Sequence, residues 1–129
     1  MLNVKLYIRK CVLFVCLEGE LDQSSAERMR TKISELIDGY NIRYLVLNAL
    51  NLQFMDSSGI GFIIGRYNQL KKCNGEIIIC NMNQQIKRIV TLSGLTKICV
   101  LKETEEDVEM YLGVLNEKIC WNELQCFVS

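Results

Sequence analysis

The amino-acid sequence predicts a single α/β domain in which the later strands of the sheet run largely parallel. Strand-like and helix-like segments alternate four times from Cys11 onward, the pattern of a sheet built from strand–helix–strand units. Residues 11–17, 44–48 and 76–80 are almost wholly apolar runs, as expected of strands buried on both faces. The length of 129 residues, half of them hydrophobic, suits one domain. A domain of this size buries roughly two-thirds of its unfolded surface, enough for a substantial core.

Residues 4–8 alternate as Val-Lys-Leu-Tyr-Ile, so they and residues 11–17 form an opening hairpin around Arg9 and Lys10. Gly19, Glu20, Leu21 and Asp22 break the pattern. Ser24 with Glu27 is a capping-box signature for a first helix, in which Met29, Ile33, Leu36, Ile37 and Tyr40 recur at helical spacing up to Gly39. Residues 44–48 make the central strand, and a loop leads to a second helix. Residues 76–80 read as another buried strand. A short helix with Ile86, Ile89 and Val90 on one side follows, stopping around Gly94, and residues 97–101 are the final strand. Thr104 caps a last helix carrying Val108, Tyr111 and Leu112, with Glu105, Glu106 and Asp107 in its first turn. The domain therefore spans residues 1–112. Residues 113–129 are a C-terminal extension, with Ile119, Trp121, Leu124, Phe127 and Val128 expected in one more helix or a tail packed over the sheet.

The chain is organised around residues 54–61, Phe-Met-Asp-Ser-Ser-Gly-Ile-Gly. Asp56 is the expected N-cap, its carboxylate accepting from N–H groups of the first turn that lack partners inside the helix. Ser57 and Ser58 then open the helix with surface hydroxyls near the positive end of its dipole. Ile60, Ile63, Ile64 and Tyr67 share one stripe, taken as the core face. Gly61 and Gly65 fall beside the serines. Each costs roughly 1 kcal/mol relative to alanine inside a helix, which implies close approach to the backbone by a neighbouring element or by a partner.

Fifteen basic residues balance fifteen acidic ones, so no net field attracts phosphate backbones or anionic lipid, and neither nucleic acid nor membrane is an expected partner. No uninterrupted apolar run approaches the ~20 residues of a membrane span, and no signal-peptide pattern follows Met1, so a cytoplasmic location is expected. The seven cysteines read as reduced, mostly small core residues. With no histidine and no Cys-x-x-Cys, no metal site is expected.

The same absence of histidine excludes a Ser-His-Asp hydrolase at Ser57. Lys71 and Lys72 lie about four turns along the helix, roughly 20 Å from Ser57 at the helical rise. The glycines at 59, 61 and 65 resemble a dinucleotide fingerprint, but ten residues separate residue 48 from Gly59, two glycines fall inside the helix, and no acid ends the next strand. On the residues alone, Ser57 is either part of a cap or a site of modification.

The segments Gly19-Glu20-Leu21-Asp22, residues 54–61, Gly65-Arg66-Tyr67 and Ser93-Gly94-Leu95, in this order and spacing, resemble the anti-sigma factor antagonists of the STAS class, most of all the anti-sigma-F factor antagonists of endospore-forming bacteria. The resemblance covers roughly residues 3–112. It implies a single STAS-like domain with a mixed central sheet of four to five strands packed against about four helices. It implies a regulatory protein with no catalytic residues and no cofactor.

The unphosphorylated form would bind an anti-sigma factor that is also a serine kinase and so release a sigma factor. Phosphorylation of Ser57 would switch binding off, and a serine phosphatase would reset it. The partner surface implied comprises Asp22, Asp56, Ser57, Ser58, Gly59, Gly61 and Gly65. Gln23-Ser24-Ser25 and the extension carrying Cys120, Trp121 and Cys126 depart from the family pattern. The alternatives are a STAS interaction module that docks constitutively without phosphorylation, and a nucleotide-binding protein.

Overall fold

The computed structural model describes residues 1–113 and 125–128. Strands β1 (Leu2–Arg9) and β2 (Val12–Leu21) form an antiparallel hairpin, followed by α1 (Gln23–Gly39), β3 (Tyr44–Met55), α2 (Ser57–Lys71), β4 (Glu76–Cys80) and α3 (Gln84–Leu92). A 3₁₀ turn (Leu95–Lys97), β5 (Cys99–Lys102), α4 (Glu105–Leu112) and β6 (Gln125–Val128) complete the described chain. The sheet order is β5-β4-β3-β2-β1-β6, with β2 to β5 mutually parallel. The five strands of residues 1–112 and the four helices are those expected.

Alternating side chains divide the strands between two apolar layers. Leu13, Val15, Leu45, Leu47, Ile77 and Ile79 face a main core completed by Met29 and Ile33 of α1, Phe62 and Leu70 of α2, and Ile86 and Val90 of α3. Val12, Phe14, Val46 and Ile78 face the opposite side, where Val108 of α4 covers them. Burial on both faces is why these strands read as continuous apolar runs.

The structure corrects several boundaries. The first helix is capped two residues earlier than expected: Asp22 and not Ser24 is its N-cap, and Ser25 takes the N3 place of the capping box expected of Glu27. Gly19, Glu20 and Leu21 do not end the strand but continue β2 through two register shifts. Gly19 has φ 109°, and a Cβ there would stand 2.1 Å from the carbonyl oxygen of Met1, so glycine is required by both conformation and space. Strand β3 runs seven residues past Asn48, to Met55. Gln125–Val128 is an edge strand antiparallel to β1, where a helix or packed tail was expected. The expectations for Ile119, Cys120, Trp121 and Leu124 lie outside the described residues.

Candidate functional site

Parallel pairing brings the site together. Leu21, the last residue of β2, pairs with Met55, the last of β3, and each strand passes through one aspartate into a helix. The N-termini of α1 and α2 therefore emerge side by side at the C-terminal end of the sheet, the usual place for function in open α/β sheets. The Asp56 N–H donates to the Leu21 carbonyl at 3.4 Å, joining the two turns. Asp22 and Asp56, 34 positions apart, thus cap neighbouring helices.

Asp22 accepts the Ser25 N–H at 3.1 Å, while its own N–H donates to Ser25 Oγ at 2.9 Å. Those Ser25 hydrogen bonds favour the carboxylate and hold its pKa below the ordinary value. Asp56 Oδ1 accepts the Ser58 N–H at 2.8 Å, and its carbonyl accepts from Gly59 at 3.0 Å and Ile60 at 3.3 Å. The cap expected at Asp56 is present. A shallow depression between the two turns is lined by Asp22, Glu27, Arg28 and Asp56. Arg28 brings a cation to this acidic corner, a role that its place on α1 gave no means of reading before the two helix starts were known to adjoin.

Ser57 is the first residue of α2 and exposed; Ser58 is half-buried. The buried face of α2 is Gly59, Phe62, Ile63, Arg66 and Leu70, about a quarter turn from the expected stripe. Ile64, assigned to the core from sequence, is exposed, on the same line as Ser57 and Gly61. The glycines separate by role. Gly59 is buried, and a Cβ there would stand 2.5 Å from Met55 Cγ and 3.0 Å from Leu21 Cδ2, so the close approach is by the protein's own strands. Gly61 and Gly65 have open space where a Cβ would point. Gly61 continues the exposed line below Ser57; Gly65 borders a groove between α1 and α2.

An exposed primary hydroxyl at a helix start, in a chain with no histidine, suits the receipt of a group from another protein's active site. Because β3 ends at Met55, only Asp56, Ser57 and Ser58 precede Gly59, so the spacing argument against a dinucleotide fingerprint does not hold. The glycines still lie within α2, whereas that fingerprint places its first glycine in the tight turn after the strand. Among the described residues no three His, Cys, Asp or Glu side chains are placed to hold a metal. Among them, too, no helix is long and apolar enough to cross a membrane.

The family model of the STAS domain matches residues 3–108. The anti-sigma F factor antagonist of Paenibacillus polymyxa is 36% identical over 115 residues, covering 89% of this chain and 98% of that protein. The solved structure of the anti-sigma factor antagonist SpoIIAA in its unphosphorylated form superposes with a TM-score of 0.70 at 25% identity, over 90% of this chain and 99% of that one. The Bacillus cell fate determinant SpoIIAA in its phosphorylated form gives a TM-score of 0.69 at 30% identity, over 84% of this chain and 98% of that one. The chain belongs to the STAS domain family, and its likeness to the anti-sigma factor antagonists extends over most of its length.

Proposed function

We propose that the protein is an anti-sigma factor antagonist switched by phosphorylation of Ser57. The observation that carries this reading is the placement of Ser57: exposed, first in α2, directly after the capping carboxylate of Asp56 and beside the second cap at Asp22. The names of similar proteins support it, one of them a SpoIIAA whose structure is of the phosphorylated form. Unphosphorylated, the surface formed by Asp22, Asp56, Ser57, Ser58, Gly61 and Gly65 binds an anti-sigma factor that is a serine kinase, in the cytoplasm of a sporulating cell. Gly59 shapes this surface from within. The sigma factor is thereby released.

The kinase transfers a phosphoryl group to the Ser57 hydroxyl, and a serine phosphatase removes it. A phosphate adds about −1.5 to −2 charge at neutral pH and is compatible with a helix N-terminus. Release therefore comes from repulsion and bulk at the docking face next to Asp56, with α2 intact.

The test is mass mapping of the tryptic peptide 44–66 from the native protein, combined with binding by Ser57→Ala. Phosphate on Ser57 and a variant locked in its binding form support the switch. An unmodified peptide under all growth conditions, with Ser57→Ala binding like the wild type, would establish the constitutive module instead. Saturable binding of ATP or GTP would favour the nucleotide-binding reading.

A further inference from the structure

Strand β3 outruns one of its neighbours. Pairing with β4 stops at Cys80, opposite Asn48, so residues 49–55 run on toward the Ser57 turn with β2 on one side and no strand on the other among the described residues. Two asparagine side chains hold that stretch. Asn48 Oδ1 accepts the Leu50 N–H at 3.0 Å, and Asn83 Nδ2 donates to the Leu52 carbonyl at 3.2 Å. One backbone donor and one backbone acceptor of the half-paired segment are thereby engaged by side chains.

Each asparagine is itself anchored. Asn48 Nδ2 donates to Glu105 Oε2 at 2.7 Å, reaching the first residue of α4, and its Oδ1 also accepts from Asn81 Nδ2 at 3.2 Å, just past β4. Asn83 is the N-cap of α3, its Oδ1 accepting the Ile86 N–H at 2.8 Å. Because both oxygens accept from backbone N–H groups, only the amide nitrogens can reach Glu105 and Leu52, and both amides have one orientation. The tip of β3 is thus fastened to α3, to α4 and to the end of β4, none of which contributes a residue to the surface around Ser57.

The fastening reaches Ser57 through Met55. Only Gln53 and Phe54 separate Leu52 from Met55. The first turn of α2 rests on that methionine, since a Cβ on Gly59 would stand 2.5 Å from Met55 Cγ. Any shift of the β3 tip therefore moves the start of α2, while the rest of the helix stays held by Phe62, Ile63 and Leu70.

We propose that Asn48 and Asn83 are positioning residues for Ser57, fixing the end of β3 so that the hydroxyl is presented in line with the phosphoryl group it receives. This rests on the reading of Ser57 as the phosphoacceptor. Phosphoryl transfer depends on such alignment, and small displacements far from the reacting atoms slow it. Asn83→Asp isolates the effect. Its carboxylate still caps Ile86, but at neutral pH it has no N–H to offer the Leu52 carbonyl.

The experiment is steady-state phosphorylation of the full chain by the anti-sigma factor kinase of the same organism, with ATP, for the wild type, Asn48→Ala, Asn83→Asp and Asn51→Ala. The Asn48 and Asn83 variants are expected to lower kcat by roughly threefold to tenfold with KM within about twofold. Asn51→Ala, an exposed change in the same stretch, should match the wild type. Amide hydrogen exchange of Asn83→Asp should quicken over residues 50–57 and stay unchanged over 44–48, whereas a general loss of stability would quicken both. An unchanged kcat in both asparagine variants, a raised KM with kcat unchanged, or exchange quickened equally over both segments would overturn the proposal and leave Ser57 as the phosphoacceptor. A wild type that takes no phosphate on Ser57 would overturn that reading and this one together.

Discussion

Gly59 rests directly on Met55: a single added methyl group would stand 2.5 Å from Met55 Cγ, with both residues buried at the junction of β3 and α2. Gly59→Ala should therefore destabilise the protein by about 1–3 kcal/mol through overpacking, despite the gain in helix propensity. Gly61→Ala, with open space around it, should stabilise by up to about 1 kcal/mol. Urea unfolding of the two variants reads the opposite signs. If both moved the same way, the division of the glycines into an internal and a surface role would be wrong.

Ser57 is exposed and its hydroxyl makes no hydrogen bond among the described residues. Ser57→Ala should change stability by less than about 0.5 kcal/mol. The phosphoprotein should retain its helix content, because a negative group suits the first turn of α2. Far-UV circular dichroism of the two forms checks this, and a large loss of helix on phosphorylation would require a melting mechanism instead of a blocked surface.

The Asp22 carboxyl is held below its ordinary value of 3.8 by its hydrogen bonds from Ser25. A group with a depressed folded pKa contributes stability that is complete above the unfolded value and is lost as pH falls through the folded one. Asp22→Ala should therefore lower the melting temperature at neutral pH, and the difference from the wild type should narrow as pH is taken below 3.8. Thermal melts across acid pH measure both effects. A deficit that stayed constant down to the lowest pH would show that the cap does not act through its charge.

Burial pushes the thiols of Cys80 and Cys99 up to about 12, whereas Cys73 is exposed in the turn between α2 and β4. Among Cys11, Cys16, Cys73, Cys80 and Cys99, brief treatment with iodoacetamide at neutral pH should label Cys73 and spare Cys80 and Cys99 until the protein is unfolded. Peptide mapping of the alkylated protein gives the order directly.

The short elements were legible because each carried one clear signal. Glu76–Cys80 is buried at four of its five positions, and Thr104 accepts the Asp107 N–H at 3.1 Å as its place before three acids suggested. The second half of β3 was hidden. Its register with β2 is shifted near Glu18 and Glu20, so Leu52 and Met55 turn inward while Leu50 and Phe54 remain exposed, and no period of two survives for a sequence reading to detect.

The face of α2 was misjudged for a different reason. Apolar residues lie on several sides of it, and its true buried stripe includes a glycine, which has no side chain to mark a face, and an arginine, a residue type mostly found exposed. The pairing of Asp22 with Asp56 at the site needed the parallel register of β2 and β3, which no local pattern contains.

The strand at the end of the chain changes what the sheet offers to other molecules. With β6 in place, Lys5 to Ile8 of β1 are paired on both sides, so that stretch no longer presents a free row of N–H and C=O groups. At the opposite border β5 is only four residues long. Long unpaired borders template chain-to-chain association and, eventually, aggregation. Those last residues thus give the extension a protective use, as a cover that keeps a strongly apolar sheet from recruiting copies of itself.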